Sequence, residues 1–268
     1  MLENKIPDAV EHLDIVKNKL INKEPFTFIR FSDGETEILK NRYLEIIPGK
    51  TIFRGKEIKN KFPQFDTKRF DPELHQNIRE DLLEAAKYKS TNYFKGIPTS
   101  SNKAIDDREM MLEYNHGLDS SITFADLFLN SNYNKYLNEI VPLFEKFENI
   151  FVVANYRAKP VDILQKSHHI KIQDNFFANY DEILTDTMKE LENIPSGSLV
   201  LSSASSLSKI LGYKLFLIRQ DITFLDIGTS INSLLSMDSN IRSYHKQNNQ
   251  SFWKRLFKKK PKSHEIKW

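Results

Sequence analysis

Between Asn149 and Gly228 the chain repeats one rhythm, a short apolar run followed by a stretch with helical spacing. "NIFVVAN" (Asn149 to Asn155) reads as a buried strand, and Pro160 to Lys166 as the helix after it. "HHIKIQ" and a helix from Asp181 to Asn193 come next, then "GSLVLSS" and a helix from Ser206 to Ile218, and "DITFLDIG" closes the series. Strands that alternate with helices in this way form βαβ units, because parallel neighbours need a crossover long enough to return over the sheet. The pattern predicts an α/β fold, a single Rossmann-like domain with a mainly parallel sheet flanked by helices.

The first half fits the same class with less regularity. An amphipathic helix is predicted over Pro7 to Asn22, a strand at "FTFIRF", and a short helix up to about Asn41. The stretch through "IIPGKTIFRGKEIKNKFPQFD" is rich in Pro, Gly and Lys and reads as a long loop or small hairpin. A helix follows over Asp71 to Tyr88 with Pro72 in its first turn, then a strand at "NYFKGIP". Further helices are predicted around Ala104 to Tyr114 and Asn132 to Phe147.

Composition removes several kinds of chemistry. The chain has no cysteine, which excludes disulfides, thiolate zinc sites and a cysteine nucleophile. Its seven histidines show no HExxH-type spacing. Neither a Walker A sequence nor GxGxxG occurs, which disfavours P-loop NTPases and typical NAD enzymes. No apolar stretch approaches membrane-spanning length, and the N-terminus mixes both charge signs unlike a signal peptide, so the expected location is cytoplasmic.

The net charge of +3 hides an asymmetry. Residues 250–268 hold seven Lys or Arg against one Glu, a net of +6 that leaves residues 1–249 at −3. We therefore divide the chain into a domain over 1–249 and a basic tail over 250–268. Phe252, Trp253, Leu256 and Phe257 are interleaved with the tail charges, as in segments that lie on anionic membranes at the inner face. A nucleic-acid partner is the weaker rival, and a plain solvated tail the bland alternative.

In parallel sheets ligands bind beyond the carboxyl ends of the strands, so the residues there belong together. They are Ser32, Asp33, Gly34 and Glu35 after the first strand, Asn155, Tyr156 and Arg157 after "NIFVVA", Ser202, Ser203, Ala204, Ser205 and Ser206 after "SLVL", and Asp226, Gly228, Thr229 and Ser230 after "ITFL". Two acids two apart at a turn suit one hard cation, Mg²⁺ or Mn²⁺. A small-residue loop opening a helix offers amides to a phosphate, and arginines such as Arg157 or Arg242 offset charge on a departing one. Together they describe a nucleotide-diphosphate site. Ser32-x-x-Glu35 also fits a plain capping box, and that reading stays open.

"IRFSDGE" resembles the "RFGDGE" segment of the GT-D-type glycosyltransferases, bacterial enzymes with a DxE motif that use sugar nucleotides in glycan assembly. "LVLSSASSLSKILGYKL" looks like that family's late strand, small-residue loop and helix, and "FLDIG" like its Asp-Ile-Gly strand end. The chain departs from the family at Thr229, where histidine is usual, and in "VVANYRAKP", which is less acidic. The resemblance implies transfer of a sugar from a nucleotide-sugar donor to a glycan or lipid-linked acceptor. It implies that Asp33 and Glu35 are the DxE pair holding a divalent metal. Asp226 is the first candidate base, Arg157 or Arg242 offsets leaving-group charge, and Arg30, Gly34, Asn155, Gly228 and the Ser203–Ser206 loop line the donor site. A metal-dependent phosphohydrolase using the same carboxylates, or a non-catalytic binding protein, is the alternative.

Overall fold

The computed structural model of the protein describes residues 9–59, 67–98, 104–237 and 242–246. The basic tail therefore lies outside the described residues. Seven strands form one sheet in the order β7-β6-β1-β11-β10-β8-β9, every neighbouring pair parallel. They are β1 (Thr27–Arg30), β6 (Tyr93–Ile97), β7 (Ile122–Phe124), β8 (Ile150–Asn155), β9 (His168–Ile172), β10 (Leu199–Ser203) and β11 (Thr223–Asp226). The α/β class and parallel sheet expected from the rhythm are what the chain forms.

Each face of the sheet carries its own core, as alternation along the strands requires. Phe26 and Phe28 enter one cluster with Leu199, Leu201 and Leu225, beneath α1 (Ala9–Asn22). Ile29 and Phe31 enter the other with Val200 and Phe224, beneath α2 (Asp33–Leu39), α3 (Gln76–Lys87), α6 (Tyr180–Glu192) and α7 (Leu207–Ile218). Helix α7 packs closely because Gly212 has no side chain; a Cβ there would stand 2.7 Å from Ile29 Cγ2. That contact seats the middle of α7 directly against β1 and β11.

Several elements differ from expectation. Within the stretch read as a loop or hairpin, the described residues form antiparallel hairpins that join β5 in a four-stranded sheet, ordered β4-β3-β2-β5. It comprises β2 (Leu44–Ile47), β3 (Lys50–Phe53), β4 (Lys56–Ile58) and β5 (Lys68–Phe70). Arg54 and Gly55, both at positive φ (53° and 70°), make the tight turn between β3 and β4. Helix α3 begins at Gln76 rather than Asp71, since residues 71–75 form a separate turn closed by His75 N donating to Asp71 O (3.0 Å). Only Asp162–Leu164 of the expected 160–166 helix coils, because Lys159 N and Val161 N donate to Leu235 O and Leu234 O instead. The 132–147 stretch breaks into the short α5 (Tyr133–Lys135), a π turn and a 3₁₀ turn with Pro142 at its start, where proline cannot donate to the helical ladder. Strand β7 was not foreseen. Helix α4 (Ile105–Tyr114) falls where expected, and α8 (Ser243–Lys246) ends the described chain.

Candidate active site

The ends of β1, β11 and β10 converge on a buried charge network. Glu35, on α2, is 3% exposed, Lys209 on α7 2% and Asp226 at the end of β11 1%. Lys209 Nζ lies 2.8 Å from Asp226 Oδ2 and 3.6 Å from Glu35 Oε1, and it donates to Ser205 O at 3.0 Å. Ser206 Oγ donates to Glu35 Oε1 (3.1 Å), while Ser32 N and Oγ both donate to Oε2 (3.1 and 2.7 Å). Burial pushes the Glu35 pKa up, but the Lys209 and Lys68 charges and the Ser32 bonds outweigh it and hold the carboxyl at about 2. Glu35 is thus ionised, enclosed and saturated with partners. The Ser32 amide bond is the reaching-back half of a capping box.

Asp33 takes another direction. On a helix, positions two apart point to nearly opposite sides, about 200° round. Glu35 faces the network, whereas Asp33 stays exposed at the start of α2. Its pKa is raised, mainly by partial desolvation and further by Asp107 and Glu35, against the opposing charge of Arg54. Arg54 comes from the β3–β4 turn and reaches the buried Asp107 on α4 (Nη2 to Oδ2, 2.7 Å); Lys40 pairs with the same carboxylate. Asp33 and Glu35, expected to share one cation, thus stand in different surroundings, Asp33 exposed and Glu35 enclosed by Lys209, Ser32 and Ser206. Among the described residues no group of three or more His, Cys, Asp or Glu side chains is placed to hold a metal ion. Asp33 is open to solvent at the start of α2, whereas both Glu35 oxygens already accept hydrogen bonds from Ser32 and Ser206.

Arg30 ends β1 with its amide donating to Asp226 Oδ2 (3.2 Å) and Nη1 to Ala125 O (3.2 Å). Its Nε stands 3.7 Å from Asp226 Oδ1, and both atoms are buried without a hydrogen bond. Gly228 makes room for the guanidinium: a Cβ there would come within 1.8 Å of Arg30 Nη2. Arg242 stands nearby, its pKa lowered by burial and by the Arg30 charge. Thr229 anchors the segment bearing it, through Thr229 Oγ1 to Tyr244 OH (2.6 Å) and Thr229 O to His245 Nε2 (3.0 Å). Position 229, where the resembled family has histidine, thus serves to hold α8 and Arg242 in place.

The structure brings together Arg30, Glu35, Ser205, Ser206, Asp226 and Gly228, with Arg242 beside Arg30. It places Arg157 apart from them, over β8 and β9, while Asn155 at the end of β8 faces Ala204 and Ser205 across a narrow crevice. Arg157 forks onto Asp174 (2.5 and 2.8 Å), and Asn155 Nδ2 donates to Asp174 Oδ1 (2.8 Å). In the small-residue loop the Ala204 amide is taken by Ser208 Oγ (2.9 Å), and Ser205 adopts a left-handed φ of 54°. Gly34 lies in the first turn of α2, and Ser203 ends β10. Lys209 and Lys68 were missed. Lys68 Nζ donates to Ser205 Oγ (2.7 Å), which ties the small sheet to the loop. The available signal for Lys209 was a lysine three residues after Ser206, inside a run as apolar as "LSKILGYKLFLI".

Fold and site define a parallel α/β scaffold with an ionised, cation-rich end beyond the carboxyl termini of its central strands. No protein-family model matches the chain, and no curated protein matches it. Solved structures do match. A glycosyltransferase (DUF1792) from Streptococcus sanguinis shares 17% identity with it over 84% of this chain and 81% of the other, with a TM-score of 0.51. A selenomethionine-substituted structure of domain of unknown function 1792 gives 16% identity, 90% and 85% coverage and a TM-score of 0.51. A third, of the same domain and described as having a distinct glycosyltransferase fold, gives 15% identity, 90% and 85% coverage and a TM-score of 0.50. The resemblance to GT-D-type enzymes is borne out at the level of the fold, which this chain shares with these glycosyltransferases.

Proposed function

We propose that the chain transfers a sugar from a nucleotide-sugar donor to a glycan or lipid-linked glycan acceptor. The observation that carries this reading is the Arg30 guanidinium seated over Gly228 at the strand ends, with the half-buried Arg242 near enough that the Arg30 charge adds to burial in lowering the Arg242 pKa. A diphosphate lying against them relieves that repulsion and gains charge-assisted hydrogen bonds. The shared glycosyltransferase fold supports the same reading.

Arg30 and Arg242 then offset the charge that develops on the departing nucleoside diphosphate, an electrostatic form of catalysis. Asp226 acts by holding Arg30 and Lys209, since its enclosure leaves no path for a substrate hydroxyl. Glu35 and Ser206 tie α2 to α7, so that Gly34 and the Ser203–Ser206 loop keep a fixed spacing along the donor's approach. Arg157 and Asn155 bound the same end of the sheet on the β8 side. A Mg²⁺ or Mn²⁺ ion would be held by Asp33 together with the diphosphate, supplying positive charge to the leaving group. Among the described residues no helix is long and apolar enough to cross a membrane. We assign the basic tail to peripheral contact with anionic lipid, which brings the domain to lipid-linked acceptors.

Thermal shift against a panel of UDP-, GDP- and dTDP-sugars, with and without MnCl₂, tests the reading. At a hundred times Kd a true donor stabilises by about 3 kcal/mol, a shift of several degrees. Asp33→Asn should remove the Mn²⁺-dependent part alone, whereas Arg242→Gln should weaken binding with or without metal. No shift with any nucleotide sugar would overturn the proposal.

A further inference from the structure

A groove of about 500 Å³ opens between β5, the turn before α3 and the start of α6, lined by Arg69, Asp71, His75, Asn175, Tyr180 and Asp181 among others. Through Asn175 it adjoins a narrow crevice bounded by Lys68, Asn155, Ala204 and Ser205, so it opens on the carboxyl-end side of the large sheet. We propose that this groove binds a sugar ring of the acceptor, an inference that rests on the transferase reading above.

Its charge excludes the donor's diphosphate as occupant. Asp71 and Asp181 face a single arginine, and Arg69 is directed over the Tyr43 ring (5.7 Å). Two carboxylates repel an anion but accept hydrogen bonds well from neutral hydroxyls. Each has an oxygen to spare. Asp71 Oδ1 accepts from Glu73 N (3.0 Å) and Asp181 Oδ1 from Asn77 Nδ2 (3.0 Å), which orients both groups while the second oxygens take no hydrogen bond among the described residues.

His75 supplies the complementary donor. Its Nδ1 lies 2.8 Å from the Asp71 amide, which only donates, so Nδ1 is an acceptor and the ring proton sits on Nε2. The imidazole packs beside Phe70 and Phe177 (5.9 and 5.8 Å between ring centres), which fixes its plane. Nε2–H has no partner among the described residues. Two oriented carboxylate oxygens and one oriented N–H, beside aromatic edges, match the mixed donors and acceptors of a sugar ring. A histidine held in this tautomer donates to a hydroxyl oxygen and does not serve as a base.

Saturation-transfer NMR with lactose, maltose, cellobiose and N,N′-diacetylchitobiose on the full chain tests the groove, alongside the nucleotide-sugar thermal shift on the same samples. His75→Asn keeps an acceptor for the Asp71 amide, and its shorter side chain withdraws the donor from the position of Nε2; Asp181→Asn keeps the Asn77 bond and removes the charge. At least one disaccharide should bind, and each variant should weaken it about tenfold, the loss expected for a charge-assisted or oriented hydrogen bond. Nucleotide-sugar shifts should stay unchanged in both. Absence of binding by all four sugars, or binding indifferent to both variants, overturns the inference. Disaccharide binding that depends on His75 and Asp181, in a protein that no nucleotide sugar stabilises, would support the groove while defeating the transferase reading.

Discussion

Lys209 and Asp226 form an ion pair of 2.8 Å in which both side chains are almost wholly enclosed, and the same ammonium lies 3.6 Å from Glu35. One cation therefore joins α7, β11 and α2 at the point where three strand ends meet. Replacing it by Met keeps the volume but leaves two buried carboxylates with only Arg30, 3.7 Å from Asp226, and the charge of Lys68 acting on Glu35 to offset them. The expected cost is about 3–5 kcal/mol, a fall in Tm of roughly 10 °C. Adding Asp226→Asn to Lys209→Met should recover part of the loss. A Lys209→Met protein that melts with the wild type would contradict the network.

Glu35 is held at about 2 against an ordinary value of 4.5. A carboxyl whose pKa is depressed by folding takes its proton more readily in the unfolded chain. Its stabilising contribution is full above pH 4.5 and is lost as pH falls toward 2. The shift corresponds to about 3 kcal/mol. Denaturation midpoints followed against pH should fall steeply over that window in the wild type. Glu35→Gln should start lower at neutral pH and show a flatter acid limb. Identical acid limbs would show that Glu35 is not ionised by its surroundings.

Gly228 lies at φ +48°, and an added Cβ would overlap Arg30 Nη2. Gly228→Ala should therefore move the guanidinium as well as strain the backbone, costing about 1 kcal/mol or more in stability. Nucleotide-sugar affinity should drop about tenfold, as the loss of one charge-assisted contact implies. Calorimetric titration decides the matter; unchanged affinity would separate Arg30 from the donor.

The basic tail carries its own prediction. In the sequence Trp253, Leu256 and Phe257 recur at i, i+3 and i+4, interleaved with Lys254, Arg255 and Lys258 to Lys260. Each basic residue near an anionic surface contributes about 1 kcal/mol. A chain ending at Asn249 should keep its nucleotide-sugar binding and lose co-sedimentation with phosphatidylserine liposomes, an interaction that high salt should weaken in the full chain. Equal sedimentation of the two proteins would reduce the tail to a solvated end.

Much of this was legible because strand ends announce themselves. β1, β10 and β11 are short, largely apolar runs, and Arg30, Ser206 and Asp226 stand at or just beyond the points where those runs stop. β7 is three residues long and β4 wholly exposed, too little pattern to read. The 160–166 segment has helical spacing but spends its amides on Leu234 and Leu235, a choice set by residues seventy positions away. Within the site, the direction of Glu35 followed from the helix that "DGE" begins rather than from the motif itself. Lys209 escaped because a lysine in an apolar helix is explained only by carboxylates that arrive from α2 and β11.

The most direct test of the central claim is product analysis with a radiolabelled nucleotide sugar that stabilises the protein, incubated with Mn²⁺ and a bacterial lipid-linked glycan fraction. The account predicts label appearing in the glycan fraction with an equal amount of nucleoside diphosphate released, and loss of both in Arg30→Gln. Release of inorganic phosphate or sugar phosphate, with no label in any acceptor, would contradict it and point to hydrolysis instead.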